Sequence, residues 1–308
     1  MRLLAAGLVC IGVAACSGND SGSPGATGQT TQQVFTIDPF EVDPGGETYK
    51  CQDMPNPIGK DVAILKADSV FSAGSHHMFA FKIDAKDANL AADGSKGPIV
   101  DCPNGGLEIH PYISLSQTQH QITTYPEGVG RSLKGTDVIR MMVHYLNTTS
   151  GPLQANAQVT VDYVDADKVT SLAAEMFLFA GNLSVPPGMS THSYSQVMPA
   201  DVKILQATGH MHSRGTHFVA NAVSATGALP RQIWASDTWD EPPSTDYTPG
   251  FAIPGGDSVQ FTCTYQNATS KTLSLGESAA TNEMCLFFGV YYPAPGGVGL
   301  ITVLPSLP

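Results

Sequence analysis

Two groups of side chains in this sequence have the types and spacing to hold a redox metal: His76, His77 and His144, then His210, His212 and Met284. The first group could make an all-imidazole site, the second a site of two imidazoles and a thioether. Imidazole suits copper, zinc, iron and nickel, whereas a thioether is soft and favours Cu(I). A soft sulfur beside a histidine pair points to copper that passes through its reduced state. Two such sites in one chain point to redox chemistry.

Each group also has a bland explanation. His210-Met211-His212 lies in KILQATGHMHSRGTHFVANA (203–222). On a strand, residues i and i+2 share a face, so both imidazoles would project together. Such a pair can equally be two hydrogen-bonded surface histidines. A cupin would place a Glu shortly after it, but Ser213, Arg214, Gly215, Thr216 and His217 follow. A three-histidine zinc site of the carbonic anhydrase type could recruit His144, but would leave His76, His77 and Met284 without roles. Adjacent strand residues point to opposite faces, so His76 and His77 can share an ion only if the backbone kinks or bulges. Gly74-Ser75 makes that departure plausible. His144, in DVIRMMVHYLN (137–147), shares a strand face with Met142 and Leu146, where a buried structural histidine would also fit. Met284 lies in the apolar strand-like run NEMCLFFGVYYP (282–293), where methionine is usually core filler. A disulfide at Cys285 would pin the backbone beside its thioether. His110, His120, His192 and His217 have no comparable context and read as surface, core or supporting groups.

The elements that must position these groups are strands. Residues 158–164 (QVTVDYV) and 201–205 alternate apolar and polar. Turn signals recur at Pro55-Asn56-Pro57, Pro187-Gly188, Gly255-Gly256 and Gly296-Gly297. No helix-periodic segment or internal repeat stands out. The expectation is an all-β chain of two consecutive sandwiches. The strand ending near Val164 and the polar stretch 165–171 place the boundary, giving a first domain over 34–167 and a second over 168–308. Each trio then has its own domain, with the chemistry between them.

Composition agrees. The 308 residues suit two domains, 42% are hydrophobic, only 14% are charged, and 31 Gly with 22 Pro make the chain rich in turns. A net charge of −12 leaves no basic footprint for nucleic acid. Arg2 and the short apolar run Leu3–Ala15 read as an export signal, too short to span a bilayer. Val13-Ala14-Ala15-Cys16 resembles a bacterial lipobox, which implies cleavage after residue 15 and lipid attachment at Cys16. The polar stretch that follows, to Gln33, reads as a flexible tether (16–33). Ser17 offers no Asp retention signal, so resemblance to bacterial sorting patterns points to an exported lipoprotein of the bacterial envelope, in the outer membrane or otherwise facing the periplasm. The N-x-S/T sequons at Asn147, Asn182 and Asn267 carry no glycans on that reading. Of six cysteines, Cys10 and Cys16 belong to the signal and anchor. Cys51, Cys102, Cys263 and Cys285 read as two disulfides with three possible connectivities, the simplest pairing neighbours.

The ordered set of segments resembles the copper type II, ascorbate-dependent monooxygenases, the family of peptidylglycine alpha-hydroxylating and dopamine beta-monooxygenases. The resemblance is carried by Ser75-His76-His77-Met78, Tyr125-Pro126-Glu127-Gly128-Val129-Gly130, Val143-His144-Tyr145, His210-Met211-His212, Glu283-Met284-Cys285 and Tyr291-Tyr292-Pro293. It implies two jelly-roll-like domains facing an open cleft, one copper on each. His76, His77 and His144 would hold an electron-transfer copper. His210, His212 and Met284 would hold the copper that binds oxygen and hydroxylates substrate. It also implies a Cys263–Cys285 disulfide near the thioether, ascorbate as reductant and O2 as co-substrate. The sequence departs from the peptide-amidating branch, whose substrate-gripping Arg, Asn and Tyr fall at Thr208, Leu286 and Phe288. Those departures remove groups that could hold a carboxylate. With Phe287, they point to an apolar or aromatic small substrate. The chain is thus expected to be a monomeric monooxygenase. Its rivals are a tethered copper carrier on the same fold, a histidine-only zinc hydrolase and a structural surface sandwich.

Overall fold

The computed structural model describes residues 30–103 and 110–307. The signal segment, Cys16 and the tether up to residue 29 lie outside the described residues, which contain strands and 3-10 turns but no α-helix. The first half comprises β1 (Thr31–Val42), β2 (Glu47–Pro55), β3 (Val62–Phe71), β4 (Ser75–Ile83), β5 (Val100–Asp101), β6 (Tyr112–Ser116), β7 (His120–Thr124), β8 (Val129–Leu133), β9 (Val138–Leu146) and β10 (Leu153–Asp165). The second comprises β11 (Ser171–Ala180), β12 (Ser184–Val185), β13 (Gly188–Val197), β14 (Val202–His210), β15 (Gly215–Val223), β16 (Arg231–Ser236), β17 (Thr245–Ile253), β18 (Ser258–Asn267), β19 (Leu273–Ser274), β20 (Leu286–Tyr292) and β21 (Leu300–Leu304).

The strands build a sandwich in each half. In the first, the β5-β2-β9-β4-β6 sheet packs on β1, β10, β3 and β8. Phe35, Ile37, Ile64 and Val161 meet Met78, Ile139, Met141 and Val143 in its core. In the second, β13-β18-β15-β16 packs on β11, β20, β14 and β17, joining Tyr194, Phe218, Phe261 and Tyr265 to Met176, Leu178, Ile204 and Phe287. β18 shows the signature of a one-sided strand, with every second residue buried.

β4, β9 and β11 do not alternate, because both their faces are covered. Met78 and Ala80 face the first core while Phe79 and Phe81 turn to a third cluster. β11 splits the same way, with Met176 and Leu178 inward and Phe177 and Phe179 in that cluster. This third cluster also holds Leu115, Met142, Met284, Leu286 and Phe288. It is where the two halves close on each other.

The halves are also joined edge to edge. β8 pairs in parallel with β11, Val129 opposite Ser171 and Arg131 opposite Ala173, so one ten-stranded sheet runs through both. The stretch expected to be a linker, 165–171, is a 3-10 turn (Ala166–Lys168) leading straight into β11. Arg131 and Glu175, each 1% exposed, form an ion pair beside this seam, and Arg131 lies 4.4 Å over the Tyr112 ring. The disulfides pair neighbours, Cys51 with Cys102 and Cys263 with Cys285.

Candidate metal centre

Three strands set the first trio. Tyr49 on β2, His144 on β9 and His77 on β4 lie in one cross-strand row, His144 opposite both of the others. Tyr49 stacks on the His144 ring at 3.8 Å between centroids. The β4–β9 register shifts between Ser75 and His77, so His76 is the extra residue of a bulge. A bulge is what lets adjacent side chains serve one side of a strand. Gly74, at φ +89°, provides the left-handed backbone that leads into it.

The second trio is set differently. β14 ends at His210, so the strand does not carry on through His212 as the i, i+2 argument supposes. Met284 precedes β20 rather than lying on it. Side chains hold these residues instead. The buried Glu283 carboxylate accepts the backbone N–H groups of His212 (3.1 Å) and Arg214 (2.9 Å), tying the turn after β14 to the Met284 segment. Burial pushes the Glu283 carboxyl up to about 7, against the pull of those two N–H donors. Tyr265 donates its hydroxyl to the Met284 carbonyl at 2.6 Å, and the Cys285 disulfide fixes the next residue.

All five histidines come together. One ring nitrogen from each of His76, His210 and His212 lies within 4.8 Å of the other two. The His77 ring is 5.1 Å from His144 and 5.3 Å from His210, centroid to centroid. The resemblance implied two sites across an open cleft; here the halves are closed and the imidazoles form one buried cluster. The apolar interface of Phe79, Phe177, Leu286 and Phe288 accounts for the closure, since burying it favours contact between the halves.

The tautomers follow from the oxygen partners. A carbonyl only accepts, so Nδ1–H of His76 donates to Asp240 O (3.3 Å) and Nδ1–H of His212 to Asn282 O (3.3 Å). Gln117 spends its amide N–H groups on Thr208 Oγ1 and Gly209 O, so its Oε1 accepts from His210 Nδ1 at 2.6 Å. His144 gives its Nε2–H to Glu47 at 3.0 Å. The opposite nitrogens, Nε2 of His76, His210 and His212 and Nδ1 of His144, are buried without a partner, as is Nδ1 of His77. Buried unpaired acceptors are costly, and a histidine whose outer N–H is fixed by oxygen while its inner nitrogen is bare is built like a metal ligand. Burial pushes His76 down to about 4 and His212 to about 3. It holds His77, His144 and His210 well below the usual histidine range, with mutual repulsion adding to the effect. The rings are neutral at pH 7, the state a metal requires. Bare imidazoles and a thioether in one region fit copper.

Met284 lines an apolar cavity of about 40 Å³ together with His77, His210, Phe79, Phe288 and Leu286. The positions expected to line the substrate approach, Leu286 and Phe288, thus border it. Thr208 is buried, accepting from Gln117 and donating to Pro243 O. The other histidines stand apart: His120 on Asp68, His217 on Asp237, His192 near Ser190 and His110 beside Phe81. Sequence reasoning missed Glu47, Tyr49, Gln117 and Glu283. Only Glu283 carried a signal, as the neighbour of Met284.

Among solved structures, the chain is similar to PNGase F, a glycosylasparaginase from Flavobacterium meningosepticum, at 10% identity and TM-score 0.34, covering 90% of this chain and 100% of that one. It is also similar to a triple-jelly-roll protein of an archaeal virus turret, at 10% identity and TM-score 0.25, covering 82% of this chain. The chain spans 58% of the length of that viral protein. Both likenesses are weak. The informative match is to a family: residues 184–297, which carry His210, His212 and Met284, match the C-terminal domain of the copper type II ascorbate-dependent monooxygenases.

Proposed function

We propose that this protein is a copper-dependent monooxygenase hydroxylating an aliphatic C–H bond of a small apolar or aromatic substrate. The balance is R–H + O2 + 2e⁻ + 2H⁺ → R–OH + H2O, with two molecules of ascorbate or an equivalent reductant giving one electron each. On this reading His76, His77 and His144, within 34–167, would hold an electron-transfer copper, and His210, His212 and Met284, within 168–308, would hold the copper on the substrate side. Copper, when bound, supplies one-electron redox chemistry at both positions. The chain's residues do the rest. Glu47, Gln117 and the carbonyls of Asp240 and Asn282 hold the outer N–H of four imidazoles, leaving the inner nitrogens bare. Phe79, Phe177, Phe179, Leu286 and Phe288 give the cavity beside His210 and Met284 an apolar wall. Among the described residues no Arg or Lys lines that cavity, which supports a substrate without a carboxylate handle. Its volume suits a body of one or two water molecules, so an aromatic substrate enters only as the halves or the phenylalanines part. A monomer tethered to the bacterial envelope through a lipid on Cys16 completes the reading.

The observation that carries the proposal is the five bare, buried imidazole nitrogens, two of whose rings, His77 and His210, line a cavity with Met284. The test is ascorbate-driven oxygen uptake by the copper-loaded soluble chain with a panel of alkyl-aromatic compounds and glycine-extended peptides, and ¹⁸O from ¹⁸O2 traced into product. Label in the hydroxyl of an apolar substrate supports it. Preference for free-carboxylate peptides overturns the substrate class, and tight copper binding without oxygen uptake would make the protein a carrier.

A further inference from the structure

The two trios are bridged by a side chain to which the metal reading gives only the His144 Nε2–H. Glu47, on β2 of the first half, takes three partners. Its Oε1 accepts from His144 Nε2 and from the Ala279 backbone N–H, each at 3.0 Å. Its Oε2 accepts from Ser278 Oγ at 3.0 Å. Ser278 and Ala279 belong to the second half, more than 230 residues away in sequence. The neighbouring Tyr49, stacked on His144, donates its hydroxyl to Glu277 O at 2.7 Å. The same segment is gripped from its own half. Ser213 Oγ and Arg214 Nη1 donate to Ala279 O at 2.8 and 2.9 Å, and Arg214 Nη2 to Ala280 O at 2.6 Å. Ser213 and Arg214 directly follow His212, and the segment leads into Met284. A continuous set of hydrogen bonds therefore runs from His144 through Glu47 and residues 278–280 to the turn that carries His212.

From this geometry we infer that Glu47 is a positioning residue coupling metal binding at His144 to the seating of residues 277–281 against the first half. The inference rests on the proposed ligation by His76, His77 and His144. A metal on Nδ1 makes the Nε2–H a stronger donor, so it pulls harder on Glu47, and a carboxylate partner in turn raises the basicity of the ligating ring. Because Glu47 shares its two oxygens between His144 and residues 278–279, what strengthens one contact changes the other. Coupling of this kind is reciprocal: whatever loosens 278–279 must weaken metal binding at His144 by the same factor that metal binding tightens the segment.

The test uses the full chain in a Met284→Ala background, where the proposed function leaves one copper, on the first trio. Cu(I) affinity is measured by competition with a chromophoric chelator for this parent and for the same chain carrying Ser278→Ala, Ser278→Thr, Glu47→Gln, or Ser278→Ala with Glu47→Gln. Glu47→Gln should weaken binding about 10–100-fold. Ser278→Ala, on the opposite half and touching no histidine, should weaken it about fivefold. Ser278→Thr should restore the parent value, and Ser278→Ala should add nothing once Glu47 is Gln. A role in packing alone would move melting temperature but not this affinity. An affinity unchanged within twofold by Ser278→Ala overturns the coupling while leaving the two-copper reading intact. A parent that binds no copper overturns that reading and the coupling with it.

Discussion

The two candidate ligand trios are held by opposite means. His77 and His144 sit on paired strands in one cross-strand row with Tyr49, and His76 is swung beside them by a bulge, so the register of a sheet does the positioning. In the other half only His210 is on a strand. His212 and Met284 lie on connecting segments held by Glu283, by Tyr265 and by the Cys263–Cys285 disulfide. A strand pleat fixes where a side chain points but cannot easily give; clamped loops can. On the proposed reading, the trio that only passes electrons has the rigid frame. The trio that must admit oxygen and substrate has ligands whose seating depends on a few replaceable side chains.

That contrast can be broken from either end. The largest effect is expected for Met284→Ala, which removes a ligand: hydroxylation should fall by more than about 100-fold, beyond the usual cost of losing an outer partner. Full turnover in this variant would show the roles to be wrongly assigned. Glu283→Ala should come next. It leaves the N–H groups of His212 and Arg214 without their acceptor, and copper affinity of the second trio should drop about 10–100-fold, with the first trio, reached only through residues 278–280, losing far less. Titration with a Cu(I) chelator resolves the two, and an equal loss at both would erase the distinction. The matching change in the first half is Gly74→Ala. An added Cβ there would lie 2.5 Å from Leu153 Cδ1 at a φ of +89°, at a cost of about 1–3 kcal/mol. Denaturant melts should show that cost, and copper should be lost from the first trio only.

Acidification should act on both trios together. His76 and His212 have folded values of about 4 and about 3, below the ordinary 6.5. The unfolded chain therefore binds protons first. Stability of the metal-free protein should fall as pH drops below about 6.5 and level off only below those folded values. Melting temperatures of the metal-free chain at pH 7.5 and 5.5 check the sign, and a rise on acidification would contradict buried neutral rings. The smallest effects belong to His120→Ala and His217→Ala. Their carboxylate pairs are exposed, so stability should stay within about 0.5 kcal/mol and copper content should not change.

Much of this was legible in the residues. The all-β architecture came from turn signals and strand patterning, the neighbour pairing of the cysteines was the simplest of three connectivities, and the ordered set of six candidate ligands was singled out by residue type and by its resemblance to a family. The bulge at His76 was legible because Gly74 and Ser75 permit it and two adjacent imidazoles need it. What stayed hidden has a common cause. His76 and His212 are oriented by the main-chain carbonyls of Asp240 and Asn282, and a carbonyl leaves no mark on residue type. Gln117 holds His210 across the interface between the halves and Glu47 holds His144 within the first half, at sequence separations of 93 and 97. The end of β14 at His210 was missed because Glu283, not the pleat, brings His212 round. The closure of the halves followed from strands apolar on both faces, a pattern that signals burial without naming the partner.

Copper stoichiometry tests the central claim most directly. The soluble chain from about Thr31 onward is loaded with Cu(I), stripped of loosely held metal, and assayed for copper per chain beside its Met284→Ala variant. Two coppers falling to one is the predicted result. A wild-type chain that retains one copper or none, or a Met284→Ala variant that still holds two, would contradict two sites of which one depends on the thioether.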